Sequence, residues 1–307
     1  MMRQYHELKA RYAGALLMFR LGDFYELFYE DAQVASRELD IVLTSREVGK
    51  GRRVPMCGVP HHALDTYLAR LVERGHRIAI CDQLEDPRTA KGLVKRDVVR
   101  VVTPGTVIEE PLLPQHTNNF LIAVAAGEGR WGLAAADLST GEFQVTELAG
   151  ERTTARLAEE LSRLGPREVL VAGADAEAVR GVAGDGVHLT TLEDWKFDEA
   201  AARRRLHEHL HVVSLEAFGC AHLPLAVSAA GALLQYLKDT QFSPLAHIRR
   251  ITMYATDAGV LLDASTRRNL EIVRNQRDGG LHGTLLWVLD ETKTVPHVLK
   301  PGESFSL

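Results

Sequence analysis

Two side chains set two residues apart, Phe24 and Glu26, stand at the centre of the segment Gly22-Asp23-Phe24-Tyr25-Glu26-Leu27-Phe28. One offers a flat apolar face. The other is a hydrogen-bond acceptor that becomes a donor when protonated. On spacing alone the pair has a plainer use. Phe24 begins an apolar series with Phe28, Ala32, Ala35 and Leu39, at steps of four and three, which fits a core-facing helical stripe. Asp23 and Glu26 have the spacing of a capping box, in which Glu26 would hold backbone at a helix start. Basic residues form two further groups. Arg46, Lys50, Arg52 and Arg53 lie in a glycine-containing stretch, and Arg88, Lys91, Lys95, Arg96 and Arg100 make a second. Such groups suit contacts to phosphate, which position a protein without reading sequence, and they equally suit solvated loops.

Other reactive residue types are present without the neighbours their chemistry needs. His61 and His62 are adjacent, and no further ligand accompanies them. Asp137 lies at the end of an expected strand. A metal-dependent nuclease would need it to converge with carboxylates such as Glu159, Glu160 or Asp194 on two metal ions, and spacing does not supply that convergence. Cys57, Cys81 and Cys220 are odd in number, far apart and without a CxxC pair. They read as buried reduced thiols rather than as a zinc site or a disulfide framework.

The elements that must position these residues follow from pattern. At 307 residues the chain has the length of about two domains of roughly 100–200 residues each. Its 46% apolar and 25% charged content is that of a globular protein and excludes a disordered, charge-rich chain. The net charge is −5, from 36 basic and 41 acidic residues. A small dedicated nucleic-acid binder carries a basic excess, so any nucleic-acid contact here must rest on local positive charge. The N-terminus lacks the apolar region of a signal peptide, and no run of 18 apolar residues predicts a transmembrane helix.

Residues 1–11 suit a short helix and Ala15 to Leu21 a strand. Asp23 then opens a helix reading through about Leu39. Ile41 to Thr44 reads as a strand, and residues 46–60, with Gly49, Gly51, Pro55, Gly58 and Pro60, as a loop. Leu64 to Arg74 is a helix closed by Gly75. Arg77 to Cys81 and Val98 to Val102 are strands. Pro104, Gly105, Pro111 and Pro114 mark a break. Beyond it Phe120 to Ala125, Trp131 to Ala136 and Glu142 to Glu147 form a β-meander. A helix over Thr154 to Leu164 and a strand over Glu168 to Val171 follow. Residues 174–222 are weakly patterned, and Leu225 to Leu237 is a strongly apolar helix. Ile251 to Tyr254 is strand-like, and Leu261 to Asn275 and Thr284 to Leu289 read as helices. The fold class is therefore α/β with mixed sheets.

Several segments, in order and at matching spacing from residue 1 to about 294, resemble the MutS family. They are Phe19 to Phe28 followed by Asp31-Ala32, Leu39 to Thr44, Val54 to His62, Asp82 to Pro87, Val98 to Thr106, Leu234 to Gln241 and Asp263 to Glu271. The resemblance implies a mismatch-recognition domain over 1–103, a linker over 104–116, an RNase H-like connector domain over 117–247, and over 248–307 the start of a helical core. It implies mispaired duplex DNA as ligand and MutL as a partner of the connector. It implies a cytoplasmic, nucleoid-associated protein, dimeric at full length and monomeric as this fragment. The family uses ATP and magnesium. No glycine-rich loop ending in Gly-Lys-Ser or Gly-Lys-Thr occurs here, so no cofactor and no ATP hydrolysis are expected of this chain. Beyond Thr294 the sequence departs from the family's core helices, which reads as a truncation or an altered frame.

Under that resemblance Phe24 and Glu26 become a reading pair. A mispaired base is poorly stacked, and an aromatic wedge entering from the minor groove can stack on it and kink the duplex. Deformability, not sequence, is what such a wedge senses. A carboxylate beside DNA is repelled by phosphates, yet it can bond a displaced base. Desolvation against the duplex would favour its protonated, donating form. On correctly paired DNA it is a penalty that disfavours binding. The resemblance further marks Arg46 and Arg96 as phosphate contacts and Met56 as a neighbour of the backbone at the kink. An alternative reading keeps only the connector's role, as a protein-interaction module for MutL without DNA binding of its own.

Overall fold

A computed structural model describes residues 1–49, 51–85, 94–107, 118–184, 186–256 and 264–290. The chain divides into two compact units, Met1–Leu113 with Leu237–Leu245 and Pro114–Tyr236 with Ala246–Leu307. Among the described residues no helix is long and apolar enough to cross a membrane.

The first unit is built on a mixed sheet. Its strands are β1 (Leu16–Leu21), β2 (Phe24–Phe28), β3 (Thr44–Glu47), β4 (Arg53–Pro60), β5 (Ile78–Gln83) and β6 (Arg96–Val102). They lie in the order β3-β4-β2-β1-β5-β6, with β1 and β5 parallel and the other pairs antiparallel. Three helices complete it: α1 (Met2–Arg11), α2 (Tyr29–Leu39) and α3 (Leu64–Glu73). Strand alternation sends Leu16, Met18, Leu27, Cys57, Val59 and Ile78 to one face, where they meet Ala32, Ala35 and Leu39 of α2 and Leu68 and Leu71 of α3. Leu17, Phe19, Phe28, Val54, Ala79 and Val98 point to the other face, where Tyr5 and Leu8 of α1 cover them.

Three expectations fail here, and the first two matter for the site. Asp23 does not open a helix. Gly22 and Asp23 form a two-residue turn between β1 and β2, closed by the pair Leu21 and Phe24. Gly22 has φ 61°, while Asp23 is not among the residues with positive φ, the pattern of a type II′ hairpin. The 24–28 stretch is a strand, and the helix begins only at Tyr29, itself at φ 55°. The apparent stripe through Phe24 arose because α2 supplies its own apolar positions directly after the strand. The loop expected over 46–60 is likewise a hairpin of β3 and β4. Its turn is held by Val48 N donating to Arg52 O (2.9 Å) and Arg52 N to Gly49 O (3.0 Å). The strand expected at Ile41 to Thr44 begins instead at Thr44.

Behind the hairpin, α1 and α2 are locked through Asp31, whose side chain is 7% exposed. Its carboxylate accepts from Lys9 Nζ (2.7 Å), Leu17 N (3.0 Å) and Tyr5 Oη (3.5 Å). The described part of the expected linker is buried: Thr106 and Val107 are enclosed, and Thr106 N donates back to Thr103 O. Its remainder lies outside the described residues.

The second unit carries another mixed sheet. The meander β7 (Phe120–Gly127), β8 (Arg130–Asp137) and β9 (Glu142–Leu148) is joined by β10 (Glu168–Ala172), β11 (His188–Leu192) and the short β12 (Thr252–Met253). The order is β11-β10-β7-β8-β9-β12. Ile122, Val124, Leu133, Val169 and Val171 pack with Leu157, Leu161 and Leu164 of α4 (Thr153–Leu164). The weakly patterned 174–222 stretch contains α5 (Ala176–Arg180), β11 and α6 (Glu199–Leu210), and the apolar helix is α7 (Pro224–Gln241). Of the last two expected helices, α8 (Ala264–Asn269) ends short of the expected Asn275, with 261–263 outside the described residues, and α9 (Leu285–Leu289) stands where it was expected, with Thr284 as its N-cap.

Candidate nucleic-acid interface

The hairpin reading changes what Phe24 and Glu26 share. Residues two apart on a strand project from the same face. The cross-strand partners confirm the parity: Phe19 lies opposite Glu26, and Phe28 opposite Met56. Phe19 and Phe28 are in the α1-side core. Phe24, Glu26 and Met56 therefore belong to the α1 face of the sheet, and Phe24, beside the turn, remains 47% exposed. A large exposed aromatic next to a tight turn gains nothing from the core. The capping role for Glu26 is excluded by the same register, since no helix starts there.

Glu26 is instead tied across the sheet. Arg46 stands on β3 opposite Val54, on the same face, and its Nη1 reaches Glu26 Oε2 at 2.5 Å. Between them runs β4, whose residue opposite Glu26 is Gly58. An added Cβ at Gly58 would sit 3.3 Å from Tyr25 O and 3.5 Å from Glu26 Cγ. Pattern reading missed both Gly58 and the Glu26–Arg46 pairing. A glycine inside a strand often marks close approach of another group, and that was the available signal.

Arg96 belongs to the same face but to the other side of β1. It pairs with Gln83 on β5. Its guanidinium lies 5.4 Å from the Phe19 ring centroid. Nε donates to Arg20 O (2.8 Å) and Nη1 to Val94 O (3.0 Å). Burial pushes this guanidinium below its ordinary range, with the neighbouring Cys81 acting in the opposite sense. Nε thus braces the end of β1 that leads into the Gly22 turn, while Nη1 holds the guanidinium to the segment that enters β6. Met56 is half-buried against the α1-side core. Among the other basic residues, Arg53 is bound to Ser45 through Nε (2.8 Å to Oγ) and Nη2 (3.1 Å to the carbonyl). Arg52 and Lys95 are exposed. Arg100 pairs with Ile80 and so faces the opposite, α2 and α3 side. Lys50, Arg88 and Lys91 lie outside the described residues.

The back of the hairpin is held by polar contacts. Tyr25 Oη donates to Asp82 Oδ2 (3.2 Å), and the Arg20 guanidinium lies 5.4 Å from the Tyr25 ring centroid. Burial raises the Tyr25 hydroxyl above its ordinary range. His61 N donates to Asp23 O (2.8 Å), tying the end of β4 to the turn.

The carboxylates considered for nuclease chemistry do not converge. Asp137 is fully buried, and its oxygens accept from Asn119 N (3.1 Å) and from Ser139 N (2.8 Å) and Oγ (2.6 Å). Glu160 is held by Arg163 (2.8 Å) and Tyr254 Oη (3.1 Å). Asp194 accepts from Gly173 N (3.2 Å). Among the described residues no three His, Cys, Asp or Glu side chains are placed to hold a metal ion. All three cysteines are buried and unpaired. Burial pushes the Cys57 and Cys81 thiols up to about 11 and about 12.

Comparison with known proteins matches this architecture domain by domain. Residues 1–111 match the family model for MutS domain I, and residues 119–249 that for MutS domain II. The DNA mismatch repair protein MutS of Symbiobacterium thermophilum is 48% identical over 298 residues, covering 96% of this chain and 34% of the relative. The protein of the same name from Syntrophomonas wolfei is 45% identical over 298 residues, with 96% and 35% covered. That of Methanococcoides burtonii is 43% identical over 299 residues, with 95% and 34% covered. The chain thus spans about a third of the length of the curated relatives it matches. With one family model over the unit that carries the Phe24 hairpin and the next over the unit built on the meander, the chain belongs to the MutS family and contains its domains I and II in that order.

Proposed function

We propose that the first unit recognises mispaired or unpaired bases in duplex DNA, with Phe24 as the stacking wedge and Glu26 as the group that bonds the displaced base. The observation that carries this reading is the exposed Phe24 ring, two residues from Glu26 on one face of a rigid hairpin. A wedge must hold its direction while it unstacks a base pair, at a cost of roughly a few kcal/mol per step. The II′ turn, the β1 and β4 ladders on either side, and the Arg96 brace give β2 that rigidity. Met56 lies along the same face, suited to apolar contact with sugar and backbone. The relatives' name, DNA mismatch repair protein MutS, agrees with this ligand.

The test is binding of the 307-residue chain to short duplexes that differ only by one G·T pair. Tighter binding to the mispaired duplex is expected. Stacking of a base on an aromatic ring contributes roughly 1–3 kcal/mol, so Phe24→Ala should lower affinity for the mispaired duplex by about 5- to 150-fold and leave the matched duplex almost unchanged. Equal wild-type affinity for both duplexes across a salt series, or a Phe24→Ala chain that still discriminates, rejects the proposal.

A further inference from the structure

A glutamate that must bond a base beside the phosphate backbone has two difficulties. The duplex carries about one negative charge per 1.7 Å of axis, which repels a bare carboxylate. A glutamate side chain also has rotamer freedom to lose before it can point in one direction. Arg46 answers both. Its Nη1 sits 2.5 Å from Glu26 Oε2, and the Glu26 side chain is only 16% exposed while that of Arg46 is 39% exposed. The arginine is the more exposed partner of the pair. A partly exposed ion pair of this kind adds little to stability, so stability does not explain it. Its geometry is nevertheless specific. It joins the edge strand β3 to β2 across β4, from a residue opposite Val54 to one opposite Gly58.

We propose that Arg46 is the positioning residue for Glu26: it fixes the direction of the carboxylate and screens its charge from the duplex, so that discrimination between mispaired and matched DNA depends on Arg46. This rests on the reading of Phe24 and Glu26 given above. It differs from a role as a simple phosphate contact, which sets affinity but carries no information about pairing. Removing an arginine that only grips phosphate weakens binding to both duplexes alike. Removing a positioning arginine weakens mainly the preference, and only while Glu26 is present to be positioned.

Two measurements on the 307-residue chain separate these. The first needs no DNA. With arginine labelled in nitrogen-15, Arg46 should show slowed rotation of its guanidinium, and Glu26→Gln should release it. The same signal in wild type and Glu26→Gln overturns the proposal. The second is the G·T preference in a double-mutant cycle. Arg46→Gln should reduce the preference by about tenfold in the wild-type background and by less than about twofold in the Glu26→Gln background, because residues acting through one contact are not additive. Arg46→Lys, which keeps the charge but not the planar fork, should fold as wild type and recover part of the preference. Equal weakening of both duplexes by Arg46→Gln, with the same loss in both backgrounds, overturns the proposal. A preference that Phe24→Ala abolishes and Arg46→Gln does not touch overturns the positioning role alone. A wild-type chain without preference overturns the reading of Phe24 and Glu26 and this role with it.

Discussion

At Gly58 an added side chain would have little room beside the strand that carries Phe24 and Glu26. The residue lies on β4 directly opposite Glu26, and a methyl group there would press on Tyr25 O at 3.3 Å and sit in ordinary contact with Glu26 Cγ at 3.5 Å. The first of these is backbone of the strand that carries Phe24 and Glu26, so it cannot swing away as a side chain would. Forcing extra atoms into a packed strand pair costs about 1–3 kcal/mol. Gly58→Ala is expected to lose stability toward the low end of that range in urea denaturation and to reduce the preference for a mispaired duplex. The two effects have one origin, a displacement of β2 against β4. A Gly58→Ala chain of unchanged stability and unchanged preference would show that the hairpin absorbs the methyl group without moving Glu26.

Among the elements, the β1–β2 hairpin depends on α1 and α2 for its footing, and Asp31 is where they meet. The carboxylate is almost enclosed and accepts from Lys9, Leu17 and Tyr5 at once. Removing it leaves a partly buried ammonium and an unmatched backbone N–H. Loss of one partner of a buried pair costs about 3–5 kcal/mol, and the 28% exposure of Lys9 lowers the expectation for Asp31→Ala to about 2–4 kcal/mol. Arg11 and Asp97 form a pair of similar appearance at 3.2 Å, but with side chains 56% and 38% exposed. Arg11→Ala should therefore cost less than about 1 kcal/mol. Equal losses for the two variants in thermal or urea unfolding would contradict this account of α1 and α2. The hairpin also marks where sequence pattern stopped being informative. The meander of the second unit was readable because turn glycines punctuate three long apolar runs. Phe24 to Leu39 was not, because a five-residue strand runs directly into a helix, and Phe24 and Phe28 continue that helix's spacing by coincidence. The dipeptide Gly22-Asp23 between two apolar residues was the contrary signal. The Glu26–Arg46 contact had no local signal at all: the partners are twenty residues apart, and only the β2–β4–β3 register brings them together.

Taken over the whole molecule, the net charge of −5 separates two contributions that a small basic domain would blend. Under the proposed reading, attraction to DNA comes from local cations such as the exposed Arg52 and Lys95, and each phosphate neutralised releases counterions, so affinity falls with salt at a slope of roughly −0.9 per contact. Under the same reading, discrimination has a different source. Phe24 is uncharged, and the Glu26 carboxylate is already matched by Arg46. Stacking on a loosened base displaces no counterions. Binding to matched and mispaired duplexes should therefore weaken in parallel as salt rises, with slopes that agree within about half a unit, so that their ratio stays constant within about twofold between roughly 50 and 200 mM. Anisotropy titrations of both duplexes at several salt concentrations measure this directly. A ratio that collapses toward unity as salt rises would assign the discrimination to extra phosphate contacts on a bent duplex, and the exposed ring at Phe24 would lose its place as the group that tells the two apart.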